Sequence, residues 1–164
     1  MRLNKTLLTF GLAAALLQMP AMMDAQTSGG NRQNPLLQKS SLPFGAPDFS
    51  KIQEGDYLPA IEAAIKNQRE NIQKIVNNKQ KPNFKNTILA YEESGVLLDK
   101  VTSVFFGLTS AHKTPGIAET QKKVTPQLTE LENEISFNQK LFERIKYVYD
   151  NEYKKLKGED QRLT

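Results

Sequence analysis

Residues 84–112 constrain this chain most, because they form the most hydrophobic long segment outside the N-terminus. At 100° per residue, the step of an α-helix, the polar side chains crowd a narrow arc. The apolar side chains cover more than half of the circumference, which is wider than the stripe that a surface helix shows to one neighbour. The sequence therefore predicts a central helix with packing partners on two sides. The polar arc contains Glu92, Glu93, Asp99 and Lys100, and the apolar arc contains Ile88, Tyr91, Leu97, Leu98, Val101, Val104, Phe105 and Leu108.

Residues 57–77 carry apolar side chains at three- and four-residue spacing, which predicts a helix that packs along one narrow stripe. Asp56 is expected to cap its N-terminus, and Pro59 fits in its first turn. The opposite arc is polar, so we expect that side to face solvent. The stripe contains Leu58, Ile61, Ile65, Ile72, Ile75 and Val76, and the polar arc contains Glu62, Lys66, Arg69, Glu70 and Gln73.

Breaks in the pattern separate the central helix from its neighbours. Residues 79–83 interrupt the periodicity, and Asn86 then offers a cap for the central helix. Pro115 and Gly116 are expected to end that helix and to allow a reversal.

A third helix follows, with a slim seam that is too short for a coiled coil. Pro126 should kink this helix or mark its restart. Asn138 is expected to cap a last helix, and residues 158–164 resemble a glycine stop followed by an acidic helix start. With no strand alternation of useful length, the fold class is all-α, an antiparallel bundle of about four helices. The seam contains Ile117, Val124, Leu128, Leu131 and Ile135, and the last helix is expected to bury Leu141, Phe142, Ile145, Val148, Tyr149 and Leu156.

The first 25 residues have the pattern of a secretory signal peptide. Arg2 and Lys5 precede an apolar run at residues 6–17, and small residues follow near Ala21 or Ala25. The run is shorter than the ~20 apolar residues that a spanning helix needs. We therefore expect a signal peptide over residues 1–25, export of the mature chain to the periplasm and no stable membrane span after cleavage.

Two non-helical segments are expected before the bundle. Residues 26–41 are rich in Gly, Ser, Asn and Gln, which predicts a flexible tether with almost nothing to bury. Residues 42–55 contain prolines and a glycine, which predicts an extended arm anchored by Leu42, Phe44 and Phe49. Residues 56–164 then form the helical region, which we expect to be incomplete at its C-terminus.

Charge and cysteine content exclude several functional classes. The formal net charge of +4 drops to +3 once Arg2, Lys5 and Asp24 are removed with the signal peptide. The basic residues are scattered among acidic ones, so the footprint of a nucleic-acid binder is missing. The absence of cysteine excludes disulfides, thiolate metal sites and a lipid attached through cysteine.

No pair of titratable residues has the spacing of a catalytic site. A His-Glu-x-x-His zinc site needs two histidines, and His112 is the only one. Its position beside Lys113 at a helix end indicates an exposed or capping role. Glu92 and Glu93 diverge by about 100° on a helix, so they cannot face one reacting atom together.

The remaining glycines, serines and tyrosines give no site either. No glycine stands between a strand and a helix N-terminus, where a phosphate loop needs it. No serine has a histidine within helical reach, and packing explains the tyrosines. We therefore assign no catalytic residue and no metal ligand to this chain, and its substrate-binding residues stay unassigned. The residues considered are Gly29, Gly30, Gly107, Ser94, Ser103, Tyr147, Tyr149 and Tyr153.

Four pieces of the chain follow one another in a recognisable order. They read NPLLQKSSLPFGAPDFSKI from Asn34, DYLPAIEAAI from Asp56, PNFKNTILAYEESGVLLDKVTSVFFGL from Pro82 and NQKLFERIKYVYD from Asn138. Together they resemble the N-terminal part of bacterial peptidyl-dipeptidases of the thimet-oligopeptidase-like zinc metallopeptidase family. The residues that carry the resemblance are Phe44, Pro47, Phe84, Asn86, Thr87, Gly95, Phe105, Leu141 and Phe142.

The resemblance implies a function in a longer protein. In that family the N-terminal helices form a lid beside a deep substrate channel, and a large helical domain carries the zinc site. No family catalytic or metal residue has a counterpart here. We expect the chain to be the lid fragment of an exported zinc peptidyl-dipeptidase that removes C-terminal dipeptides from oligopeptides. The catalytic domain would be its partner and zinc a cofactor of the parent only.

Two further expectations follow. The isolated chain should be inactive, should leave apolar surface exposed, and should associate or behave as a loose bundle. The alternative function is a free-standing exported helical module that binds a protein or peptide partner.

Overall fold

A computed structural model describes residues 32–164, and every regular element in this part of the chain is helical. The expected all-α fold is confirmed, whereas the expected signal peptide and the first residues of the tether lie outside the described residues. No helix in residues 32–164 combines the length and apolar character needed to cross a bilayer. The α-helices are α1 (Tyr57–Val76), α2 (Ala90–Ser94), α3 (Val96–Ala111), α4 (Pro115–Ser136), α5 (Gln139–Glu152) and α6 (Gly158–Leu163). A π-helical turn spans Phe84–Leu89, and 3-10 turns span Pro35–Leu37, Pro43–Gly45, Glu54–Asp56 and Tyr153–Lys155.

Helix α1 is the element on which the other large helices pack, since it contacts α2, α3, α4 and α5. Its buried face is wider than the isoleucine stripe, because Ala60 and Ala64 are also fully buried. Alanine lets a neighbouring helix approach closely, so α1 meets partners on more than one side. The buried residues of α1 are Tyr57, Ala60, Ile61, Ala64, Ile65, Ile72 and Ile75.

The central stretch is nearly continuous but does not organise the molecule as the sequence analysis expected. It starts with the π-helical turn, runs into α2, turns at Gly95 and continues as α3 to Ala111. Of its wide apolar arc, one side is buried, whereas Leu97, Val104 and Leu108 are only partly buried against the core. The expected neighbours on two sides are present, since α2 and α3 contact α1 and the π-helical turn contacts α5 and α6, but the apolar arc of α3 is only partly covered. The fully buried side chains of the apolar arc are Ile88, Leu98, Val101 and Phe105.

The main core joins α1, α3, α4 and the Pro35–Leu37 turn. Tyr57 and Phe105 form an aromatic contact within it, with ring centroids 5.4 Å apart. Burial raises the pKa of Tyr57 above its ordinary value, and the nearby charge of Asp56 raises it further. On the rim, Arg69 of α1 donates two hydrogen bonds, of 2.6 and 2.9 Å, to the Glu134 carboxylate of α4.

Two residues that were expected to cap helices do not cap them, and the same motif accounts for both cases. Asp56 does not cap α1, because its carboxylate instead accepts the backbone N–H of Gln53 at 2.7 Å in the preceding turn. Asn86 does not begin its helix either. Asn83 occupies the cap position, and the two asparagines accept each other's backbone N–H, at 2.9 and 3.0 Å. Both arrangements are reciprocal capping boxes, in which the expected cap is the third helical residue.

One remaining cap lies at its expected place, whereas Pro115 and Gly116 do not end the central helix, because α3 ends at Ala111 and both residues lie in the first turn of α4. Asn138 caps α5 by accepting the N–H of Leu141 at 3.0 Å. Thr114 caps α4, and Pro115 stands in the first turn of that helix, where it needs no hydrogen-bond donor. Helix α4 continues through Pro126 to Ser136, so this proline marks no restart.

The segment before α1 packs differently from the tether and arm that its composition indicated. Leu36 lies in the expected tether but is 2% exposed and belongs to the main core. Asn34 fixes this turn by donating to the carbonyl of Asp56 at 2.8 Å. The three expected anchors of the arm, Leu42, Phe44 and Phe49, are exposed instead. They do not anchor the segment.

Replacing Ile61 with alanine tests the central place of α1. We expect Ile61→Ala to lower the free energy of unfolding by about 2 to 5 kcal/mol, because a fully buried aliphatic side chain is lost. Val96→Ala on the exposed start of α3 is the matched control, with an expected effect within about 0.5 kcal/mol. Urea unfolding of both variants measures this. Equal losses would contradict the packing described here.

Candidate functional site

A small concavity of about 270 Å³ opens between α2–α3 and α4, above Gln68 of α1. It is slightly smaller than the pockets of about 300 to 1,000 Å³ that hold small ligands in most proteins. Its lining offers one carboxylate, Glu132, together with an amide, a phenol and a hydroxyl. The concavity can receive a side chain or a helix edge. The lining residues are Gln68, Tyr91, Leu98, Leu128, Leu131, Glu132, Ile135 and Ser136.

Zinc is the metal that the family resemblance implies, and the described residues do not fit it. No group of three or more His, Cys, Asp or Glu side chains in residues 32–164 converges on one point. His112 stands exposed at the C-terminus of α3, in extended backbone conformation. A catalytic zinc site needs three protein ligands around an open position. These side chains therefore supply no ligand set for it.

The structure keeps the other sequence candidates apart. Glu92 and Glu93 are both exposed, Ser103 is exposed, and Gly107 stands in open space. Ser94 is buried, and its hydroxyl donates to the carbonyl of Tyr91 at 2.6 Å. It is therefore engaged in the helix backbone.

The three tyrosines at 147, 149 and 153 do not form one cluster. Tyr149 of α5 and Tyr153 of the following turn contact each other, with ring centroids 4.9 Å apart and planes tilted by 32°. Tyr147 lies beneath the ammonium of Lys81, at 5.5 Å from the ring centroid. Gly29 and Gly30 lie outside the described residues.

Arg144 is the polar side chain that sequence analysis missed. It is only 9% exposed. Its Nη1 donates to the carbonyl of Asn78 at 2.8 Å, and its Nη2 donates to Oδ1 of Asn86 at 3.1 Å. Longer bonds of 3.4 Å reach Gln80 and Thr87. Every one of these acceptors is neutral, and burial lowers the pKa of the guanidinium from its ordinary value.

The sequence did contain a signal for this burial. Arg144 stands three residues after Leu141 and four residues before Val148, which are both buried. On a helix these three positions share one face. Phe142 and Tyr149 lie about 80° to 100° away from Leu141 at the helical step, at the edge of the buried face. They are 57% and 52% exposed, so the expectation that they are buried is wrong.

Glu54 supplies a second unexpected polar contact, at the start of α4. Its carboxylate accepts the hydroxyl of Thr114 at 2.6 Å and lies over Gly116 so closely that a Cβ there would clash with it. A negative charge is favourable at a helix N-terminus. The contact fastens the turn before α1 to α4, and a side chain at position 116 would push the flexible end of Glu54 aside. It is a structural contact, since Glu54 has no second titratable partner among these atoms.

Exposed aromatic side chains lie along one edge of α5 and at the link before it. Phe137 is 84% exposed, in addition to Phe142 and Tyr149. Phe44 is fully exposed in its turn, where its φ of 59° is in the left-handed region. The expectation that this chain leaves apolar surface uncovered is met for these side chains.

Known proteins resemble this chain over most of its length. Dipeptidyl carboxypeptidase of Salmonella typhimurium is 40% identical over 120 residues, which is 73% of this chain and 18% of the relative. The protein of the same name from Escherichia coli is 42% identical over 116 residues, or 71% of this chain and 17% of the relative. This chain is a homologue of dipeptidyl carboxypeptidase. The resemblance drawn from the sequence pieces is thereby confirmed.

The similarity covers only a small part of each dipeptidyl carboxypeptidase, and a further relative is less similar in sequence. The chain spans less than a fifth of either dipeptidyl carboxypeptidase. Oligopeptidase A of Escherichia coli is a more distant relative, 26% identical over 120 residues, or 73% of this chain and 17% of that protein. No protein-family model matches the sequence. The dipeptidyl carboxypeptidase homology therefore concerns a helical region and assigns no catalytic residue here.

Two adjacent residues test the register of α5. We expect Leu141→Ala to lower the free energy of unfolding by about 2 to 5 kcal/mol, because Leu141 is buried. Phe142→Gln should change it by no more than about 0.5 kcal/mol and should reduce binding of a hydrophobic dye, since its ring faces solvent. Thermal unfolding and dye fluorescence measure both effects. A large loss of stability in Phe142→Gln would show that the ring is buried.

Proposed function

We propose that this chain is the helical lid part of an exported peptidyl-dipeptidase. The observation that carries the proposal is the identity of 40% and 42% with two dipeptidyl carboxypeptidases over 120 and 116 residues. The parent enzyme would remove dipeptides from the C-termini of oligopeptides. Its zinc site would lie in a catalytic domain that is the partner of these helices, and this chain would be inactive alone.

The distribution of apolar side chains supports a role as part of a larger assembly. One side of α3 is buried against α1, whereas Leu97, Val104 and Leu108 on its flanks are only partly covered. The concavity between α2–α3 and α4 is open, and its walls carry Tyr91 and Leu128. Surfaces of this kind are suited to meeting another protein layer or a peptide.

A domain-swap experiment tests the lid function. The segment of the Escherichia coli dipeptidyl carboxypeptidase that matches this chain is replaced by the corresponding residues of this chain. We expect the chimera to release dipeptides from an oligopeptide at a rate within about tenfold of the unmodified enzyme, because the two segments are 42% identical. Liquid chromatography of the products measures the release.

Two controls make the swap decisive. The chimera carrying Phe105→Asp, which places a charge in the main core, should lose activity together with its folded helix content. The 164-residue chain alone, supplied with zinc, should release no dipeptide. A folded but inactive chimera would argue against the lid function, and dipeptide release by the chain alone would refute the view that it lacks catalytic machinery.

Export is a separate part of the proposal and rests on residues 1–25. We expect these residues to direct a reporter enzyme, active only outside the cytoplasm, across the inner membrane of a bacterium. Leu12→Arg should abolish this, since a charge interrupts the apolar run that the export machinery binds. The activity of the reporter enzyme in intact cells measures its export. Equal activity with and without the substitution would eliminate the signal-peptide interpretation.

A further inference from the structure

Two polar contacts connect α5 to the same stretch of chain, residues 78–89. Near the middle of α5, Arg144 donates to the carbonyl of Asn78 at 2.8 Å and to the side chain of Asn86 at 3.1 Å. At the end of α5, the carboxylate of Glu152 accepts the backbone N–H of Phe84 at 2.9 Å. One helix thus holds the loop after α1 and the π-helical turn at several points.

The π-helical turn, Phe84–Leu89, depends on α5 for its packing. Apart from α2, which continues it along the chain, its main neighbours are α5 and α6. Thr87 of this turn is fully buried and Ile88 is 3% exposed. The turn would therefore lose most of its tertiary contacts if α5 moved away.

The buried apolar side chains of α5 lie outside the main core, and Ile135 of α4 packs against both the main core and the smaller cluster that contains Leu141. That core draws its buried side chains from the Pro35–Leu37 turn, α1, α3 and α4, and α5 contributes none of them. Leu141 of α5 belongs to a smaller cluster, with Ile72 and Ile75 at the C-terminal half of α1. Helix α5 buries two apolar side chains, Leu141 and Val148, whereas α3 and α4 bury three each, so hydrophobic burial stabilises α5 less.

We infer that α5 and residues 78–89 form one cooperative unit, the α5 unit, which opens from the main core without unfolding it. Opening means that both segments of the unit unfold, so Arg144 and Glu152 contribute to its free energy because the hydrogen bonds that they make between the two segments are lost. Parts of a protein that open together in this manner exchange their amide hydrogens through one shared opening. The boundaries of the unit fall at Asn77, the C-cap of α1, and at Phe137, the C-cap of α4.

Native-state hydrogen exchange of the full 164-residue chain tests this inference. Peptides covering residues 84–90 and 141–152 report on the α5 unit, and peptides from α1, α3 and α4 report on the main core. Arg144→Met keeps an apolar stem but removes the hydrogen bonds. We expect it to accelerate exchange at least tenfold in both peptides of the unit, and by the same factor, since bonds to a charged group are lost.

Ile61→Val is the matched variant in the main core. It should accelerate exchange several-fold in slowly exchanging core amides, because a buried methyl group is removed. It should leave exchange in the α5 unit unchanged, because that unit opens while the core stays folded.

Two results would overturn the inference. The first is equal acceleration of the α5 unit and the main core in Ile61→Val, which would mean that both unfold in one step. The second is acceleration of residues 141–152 alone in Arg144→Met, which would separate α5 from residues 78–89. If Arg144→Met does not fold, Glu152→Ala replaces it, and it should accelerate both peptides of the unit because Phe84 loses its acceptor.

Discussion

The burial of α1 on several sides is the constraint on which the rest of this structure depends. Ile61 and Ile65 provide the apolar bulk, and Ala60 and Ala64 bring neighbouring backbones close. Helices α3 and α4 each pack on α1, and the Pro35–Leu37 turn completes the main core through Leu36. On the flanks of α3, Leu97, Val104 and Leu108 pack against this core and are only partly buried.

Polar contacts of one buried side chain connect α5 to the loop after α1 and to the π-helical turn. Arg144 places a charge among neutral acceptors, and its Nε has no hydrogen-bond partner in the described structure. A buried charge is costly unless its hydrogen bonds are satisfied, so the bonds from Nη1 and Nη2 to Asn78 and Asn86 favour the observed geometry of the loop and the π-helical turn. Arg144 shares the inward face of α5 with Leu141 and Val148, whereas Phe142 and Tyr149 are exposed.

Periodicity predicted the positions of the helices, because helical packing imposes a spacing of three and four residues on apolar side chains. It did not identify α1 as the central helix, because Ala60 and Ala64 contribute burial through close approach and little through hydrophobicity. It misplaced Phe142 and Tyr149, since aromatic side chains at the edge of a stripe look the same in sequence as those at its centre. Leu36 and Phe44 were misjudged because short turns carry no periodic signal.

The family resemblance was drawn from four sequence segments and not from the chemistry of a catalytic site. The same residues that pack the bundle, such as Phe105 and Leu141, carry the family resemblance drawn from the sequence. Arg144 was not found because a single charged residue within an apolar pattern is read as exposed. Its position on the face of Leu141 and Val148 was the only signal.

Hydrogen exchange of the unmodified chain tests the central place of α1 most directly. If the other helices pack on α1, its amides from Ile61 to Ile72 should be the slowest to exchange in the protein, because they become exposed only on global unfolding. Slowest exchange in α3, with α1 exchanging earlier, would show that residues 84–112 form the central helix after all and would contradict this account.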